Sequence, residues 1–95
     1  MKEWYLYVLL CADGTYYTGV TTDTKRRLHE HNKTRRGAKY TRARRPVQMV
    51  YIEGPYAHRG ASQKVEHKFK SLSRKQKEEY INGLYPLRPQ KPEHG

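Results

Sequence analysis

Residues 4–20 read WYLYVLLCADGTYYTGV, and the way this stretch folds back on itself decides the architecture. Residues 4–11 are apolar at both odd and even positions, the pattern of a central strand. Thr15 to Val20 forms a second strand, and Ala12-Asp13-Gly14 is the turn between them. A two-residue Asp13-Gly14 turn would pair Ala12 with Thr15 and put Tyr7 and Tyr17 on opposite faces. A three-residue loop with Gly14 in the left-handed conformation gives a type I turn and a G1 bulge. Cys11 then pairs with Thr15, Leu9 with Tyr17 and Tyr7 with Gly19, so the two tyrosines become diagonal neighbours on one face. The Ala-Asp-Gly-Thr order suits this second loop. Gly19 then leaves an open space beside Tyr7.

Downstream, Thr22 or Asp23 caps a helix running to about Asn32. Leu28 is its one sizeable apolar residue, so it packs lightly. Arg27 and His31, four apart, share a face. A basic loop follows from Lys33 to Arg45, with Gly37 and no apolar periodicity; Lys33, Arg35, Arg36, Lys39, Arg42, Arg44 and Arg45 surround one aromatic, Tyr40. Pro46 opens a third strand, Val47 to Glu53, and Gly54-Pro55 closes it. A helix from about Ala57 to Leu72 carries the apolar stripe Ala61, Val65, Phe69 and Leu72, with Glu66 at its edge. Ser73 and Gln76 form a capping box for a helix ending near Leu84. Pro86, Pro89 and Pro92 make residues 85–95 an extended, disordered tail behind a domain of residues 1–84. The order ββαβαα predicts a small α+β domain: a three-stranded antiparallel sheet with flanking helices.

The composition narrows the partner. Ninety-five residues make one small domain with a modest core. The net charge of +11 predicts a polyanionic partner. A membrane surface would need a basic amphipathic helix with a wide apolar face, and no segment has one. Nucleic acid is therefore the expected partner. Cys11 is the single cysteine, which leaves no internal disulfide and no metal-ligand pattern that includes it. Lys2 ahead of the run 4–12 faintly resembles a signal peptide, but the run is short, contains tyrosines and lacks a small-residue cleavage site. A cytoplasmic location is expected.

No glycine-rich phosphate loop, zinc spacing or Ser-His-Asp arrangement is present. What remains is a cationic chain with a hydroxyl-bearing aromatic face, one carboxylate beside an apolar stripe, and an arginine-histidine helix face. Phosphodiester hydrolysis needs such a set. An arginine stabilises charge growing on the phosphate. A carboxylate holds a divalent metal, which acts as Lewis acid and lowers a water's pKa. A base takes that water's proton. The basic loop around Tyr40 suits phosphate contacts with base or sugar stacking, and binding of that kind tolerates sequence.

The ordered set Tyr7, Tyr17-Thr18-Gly19, Arg27, His31 and Glu66 resembles the GIY-YIG nuclease superfamily over about Trp4 to Leu72. The first family motif corresponds to Tyr5-Leu6-Tyr7, or more loosely Leu6-Tyr7-Val8, and the second to Tyr17-Thr18-Gly19. Arg26-Arg27, His31-Asn32 and Gly37-Ala38-Lys39-Tyr40-Thr41-Arg42 are similar to the small single-domain bacterial branch, near the catalytic domains of nucleases that cut branched DNA. The resemblance implies that Tyr7 and Tyr17 line the cleft, one of them orienting or deprotonating the attacking water. It implies Arg27 on the scissile phosphate and His31 assisting proton transfer or phosphate binding. Glu66 would be the protein ligand of one Mg²⁺ or Mn²⁺, and Gly19 would allow close approach of substrate. DNA is then expected over RNA, cut by structure more than sequence, in repair or recombination. The first motif lacks its glycine, and Val20 stands where excision-repair members carry a lysine. No extra DNA-binding domain or zinc module is expected to follow, so affinity and target choice are expected from the basic loop or from a protein partner. The other reading is a nucleic-acid-binding module with this fold and little activity alone.

Overall fold

β1 (Trp4–Leu10) is the central strand of a three-stranded antiparallel sheet ordered β2-β1-β3 in the computed structural model, which describes residues 2–83. A central strand buries both faces, which is why this run is apolar at every position. Leu6, Tyr7, Val8 and Leu9 are all buried. Tyr7, Leu9, Cys11 and Val47 build one core on the first face, with Tyr17, Leu28, Tyr40 and Met49 packed against it. Val8, Phe69 and Tyr80 build the other, joined by Tyr16, Val50, Tyr51, Leu72 and Ile81.

The turn into β2 (Tyr16–Thr21) is the three-residue loop. Gly14 has φ +84, its N–H donates to the Cys11 carbonyl at 2.9 Å, and Cys11 N–H donates to Thr15 O at 2.8 Å. That φ is strained for any residue with a Cβ. The resulting register pairs Leu9 with Tyr17 and Tyr7 with Gly19.

Asp23 caps α1 (Thr24–Lys33), its carboxylate accepting from Arg26 N–H. The expected basic loop contains one helical turn, α2 (Lys39–Arg42), too short for apolar periodicity to announce it. Asn32 latches α1 to the start of β3: its amide donates to Val47 O at 3.0 Å and accepts from Val47 N–H at 2.8 Å. β3 (Gln48–Tyr56) runs three residues past Glu53, through Gly54-Pro55, which the sequence reading took as its end. An edge strand tolerates proline, and the register shift between Trp4 and Leu6 absorbs the extra residue.

α3 (Arg59–Lys70) begins two residues later than expected, because His58 is its cap, accepting from Ala61 N–H through its side chain. Ser73 and Gln76 form the capping box of α4 (Arg74–Ile81). The expected order ββαβαα holds, with α2 inserted in the basic loop. The proline-rich tail lies outside the described residues.

Candidate active site

Tyr7 from β1, Tyr17 from β2 and Arg27 and His31 from α1 meet on the first face of the sheet. The bulged turn brings the tyrosines together, and the four-residue helical step brings Arg27 and His31 over them. Tyr7 Oη is 2.8 Å from His31 Nε2 and accepts from Arg27 Nε–H at 3.3 Å. The Tyr7 and His31 ring centroids are 5.7 Å apart, and those of Tyr17 and His31 5.3 Å apart, edge to face. The space expected to be open beside Gly19 is filled by Tyr7 itself: a Cβ at Gly19 would stand 2.5 Å from Tyr7 Oη.

One residue in this cluster stood in the sequence only within the Gly37–Arg42 stretch of the resemblance, with no role of its own. Thr41, fully buried on α2, has its hydroxyl 2.8 Å from His31 Nδ1 and donates to Ala38 O at 2.9 Å. These contacts assign the protons. The Thr41 proton goes to Ala38 O, so Thr41 Oγ1 accepts from His31 Nδ1–H. His31 Nε2 is then bare and accepts from Tyr7 Oη–H. The competing arrangement would use Ala38 N–H as donor to a bare Nδ1, but that contact is longer, 3.4 Å, and would leave the buried Tyr7 hydrogen without its acceptor. The result is a one-directional chain: Arg27 Nε–H to Tyr7, Tyr7 to His31, His31 to Thr41, Thr41 to the Ala38 carbonyl.

Burial sets the protonation states. The Tyr7 hydroxyl is pushed up to about 12, chiefly by burial; Arg27 opposes the rise, while Tyr17 and Glu66 add to it. His31 is pushed down to about 4 by burial and by the positive charge of Arg27, so it is neutral at physiological pH. Arg27 Nη1 is held by the Glu30 carboxylate at 2.9 Å and the Arg36 carbonyl at 2.9 Å. With Nε on Tyr7, the guanidinium plane is fixed, and its Nη2 edge makes no hydrogen bond among the described contacts.

Glu66 lies on α3, its side chain 19 % exposed, paired with Lys70 at 3.2 Å. Its charge is felt at Tyr7 from the other helix layer. No group of three or more His, Cys, Asp or Glu side chains that could hold a metal occurs among the described residues. A single carboxylate fits Mg²⁺ or Mn²⁺ nonetheless, since such hard ions keep several waters and take one or two carboxylates plus substrate phosphate oxygens.

The basic loop divides in two. Lys33, Arg35, Arg36, Lys39 and Arg42 are exposed. Arg42 also donates to Arg35 O at 3.1 Å. Arg44 is tied to Asp13 at 2.9 Å and lies 3.7 Å over the Tyr40 ring. Arg45 donates to the carbonyls of His31, at 2.6 Å, Glu30 and Thr34, closing the C-terminus of α1. Those two arginines join segments of the fold. Tyr40 has Arg44 on its ring and stacks on Tyr17 at 6.0 Å.

Sequence reasoning also missed Glu53, which is buried on β3. Its carboxylate accepts from Tyr51 at 2.7 Å and from Tyr56 and Tyr80, which fastens α4 to the sheet. Burial and the adjoining carboxylate push the Tyr80 hydroxyl well above the usual phenol range. Read from the sequence, Glu53 was only the last residue of a strand.

Comparison with known proteins places the whole fold in a family. The family model described as the GIY-YIG catalytic domain matches residues 3–80. A UPF0213 protein of Enterococcus faecalis is 52 % identical over 86 residues, covering 88 % of this chain and 96 % of the relative. A UPF0213 protein of Bacillus velezensis is 51 % identical over 77 residues, 81 % of this chain and 76 % of the relative. The solution structure of an E. faecalis protein superposes with a TM-score of 0.60 at 46 % identity, covering 96 % of this chain and 97 % of that one. That of a UPF0213 protein from Bacillus halodurans gives 0.55 at 36 % identity, over 90 % and 88 %.

Proposed function

This chain belongs to the GIY-YIG family, whose nucleases act on nucleic acid and are generally metal-dependent, and from that premise we propose that it hydrolyses phosphodiester bonds in DNA. The observation that carries the proposal is the convergence of Arg27, Tyr7 and His31 in one hydrogen-bonded chain beside Tyr17, within electrostatic reach of Glu66.

The roles follow from that geometry. Arg27, its plane fixed by Tyr7, Glu30 and the Arg36 carbonyl, offers its Nη2 edge to the scissile phosphate and stabilises the charge that grows there. Tyr7 is 1 % exposed, and with its hydroxyl at about 12 only about one molecule in 10⁵ is ionised at neutral pH. It is a poor free base and serves to hold Arg27 and His31 in register. Tyr17 is half-buried, and its hydroxyl makes no hydrogen bond among the described contacts, so it is the phenol open to the attacking water. His31, neutral with a bare Nε2, accepts the Tyr7 hydrogen bond and orients that phenol; pushed down to about 4, it is too weak a base to take the proton of a phenol at about 12. Glu66 would hold one Mg²⁺ or Mn²⁺. When bound, such an ion supplies Lewis-acid polarisation of the phosphate and a more acidic water.

DNA rather than RNA, choice by structure rather than sequence, and a place in repair or recombination complete the reading. A protein partner that supplies target choice and a cytoplasmic location belong to it as well. Among the described residues no helix is long and apolar enough to cross a membrane. The exposed cations Lys33, Arg35, Arg36, Lys39 and Arg42 would position the backbone without reading bases. Residues 1–84 would be the working domain.

The test incubates branched and duplex DNA with the protein and Mg²⁺ or Mn²⁺. Cleavage that prefers the branched substrate and requires the metal supports the reading. Binding without cleavage on every substrate would leave the binding-module reading, which the valine at position 20 also favours.

A further inference from the structure

Beside Arg27 a cleft of about 300 Å³ opens between the end of β2, the flank of α1 and the start of α3. Trp4, Val20, Arg26, Arg27, Glu30 and Arg59 line it. Three guanidinium groups face one carboxylate, and that carboxylate is already held by Arg27 at 2.9 Å and Arg26 at 3.6 Å. The Arg59 guanidinium lies 5.4 Å from the Trp4 ring centroid. Trp4 is half-buried and lines the cleft, and Arg59 is exposed.

We propose that this cleft is a nucleotide subsite, which stacks the base next to the scissile phosphate on Trp4 and holds a neighbouring phosphate with Arg59 and Arg26. The inference rests on the nuclease reading and adds to it where the strand leaves the site. Three observations favour a nucleic-acid strand as occupant. The excess of positive charge selects a polyanion. The cleft is continuous with Arg27, so a strand whose phosphate sits on Arg27 must enter or leave through a neighbouring surface. Finally, the aromatic expected as a stacking platform in the basic loop already has Arg44 3.7 Å over its ring and Tyr17 stacked at 6.0 Å, whereas the cation beside Trp4 stands farther off, at 5.4 Å. Aromatic stacking with adjacent cations is how single strands are held without sequence preference. Arg59 also brings a cation to the cleft wall at Val20, where the side chain itself carries none.

Trp4 is the single tryptophan of the chain, so its fluorescence reports on this cleft alone. The experiment titrates a short labelled single-stranded DNA into the full chain with chelator present, so that nothing is cut. Oligonucleotide anisotropy and Trp4 emission, excited where tyrosine does not absorb, are followed together. Quenching of Trp4 should saturate over the same concentrations as the anisotropy and be reversed by salt. Arg59→Ala should weaken binding several-fold and lower the slope of log K against log salt by about 0.7, the value for one phosphate contact on a single strand; Arg59→Lys should keep the slope. A silent tryptophan at saturating anisotropy, or an unchanged slope in Arg59→Ala, overturns the subsite and leaves the nuclease reading standing. Absence of any anisotropy change also overturns the subsite and leaves the nuclease reading to the cleavage assay on branched DNA.

Discussion

Replacing Thr41 by valine tests the proton assignment on which the candidate site depends. Valine keeps the shape of this fully buried side chain and removes its hydroxyl. Two groups lose that partner, His31 Nδ1–H at 2.8 Å and the Ala38 carbonyl at 2.9 Å. The carbonyl still accepts from Arg42 N–H at 3.0 Å, so the cost falls mainly on His31. A buried donor left unmatched costs about 1–3 kcal/mol. At about 2 kcal/mol, a domain of this size would melt roughly 10 °C lower. The imidazole has one escape. Its proton can move to Nε2, with Ala38 N–H then donating to Nδ1 from 3.4 Å and the Tyr7 proton turned away from His31. Urea unfolding and ¹⁵N NMR of the His31 ring read the two effects separately. The wild-type ring should carry its proton on Nδ1. Thr41→Val should lose about 2 kcal/mol and shift the proton toward Nε2, and Thr41→Ser should restore both. A wild-type proton on Nε2, or a Thr41→Val variant as stable as the wild type, would refute the chain.

Other consequences follow from the same geometry. Gly19→Ala puts a Cβ 2.5 Å from Tyr7 Oη, so the phenol must leave His31; stability should fall by roughly 1–3 kcal/mol and the Tyr7–His31 contact should vanish from NMR spectra, while native-like spectra would count against the packing. Arg45→Ala removes donors from three carbonyls at the end of α1 and should destabilise by roughly 1–3 kcal/mol with little change in the salt slope of DNA binding. Arg35→Ala should do the reverse, and equal effects of the two on unfolding would erase the distinction between structural and exposed arginines. His31 titrates at about 4 folded against 6.5 as its ordinary value, so the unfolded chain binds more protons between those values. Its contribution, of order 3 kcal/mol, is complete above about pH 6.5 and lost as pH falls toward 4. Urea unfolding should show this acid-side loss in the wild type and a weaker one in His31→Gln; equal pH dependence in both would exclude His31 as its source.

The parts of this molecule that local chemistry specifies were legible in the sequence. Gly14 sets the bulged turn because the turn needs a positive φ, and that register puts Tyr7 and Tyr17 on one face. The Ser73 capping box needs only residues three apart in the chain. Tertiary chemistry was less legible. Thr41 meets His31 across ten residues through a one-turn helix without periodicity, and the Gly37–Arg42 resemblance that includes it gives it no role. Arg44 and Arg45 look like their basic neighbours until Asp13 and the end of α1 are found opposite them. β3 passes through Gly54-Pro55 because it lies at the sheet's edge, a position that strand order alone reveals.

The central claim is that Arg27, with Glu66 from the far helix, completes a phosphodiester-cleaving site. Its most direct test is the cleavage rate of branched DNA in Mn²⁺ by the wild type, Glu66→Ala and Arg27→Ala, each verified as folded. Both side chains are partly exposed, so the variants are expected to fold. The account predicts metal-dependent cutting by the wild type and its loss, by a factor of about 100 or more, in both variants. Cutting that survives Glu66→Ala would contradict it.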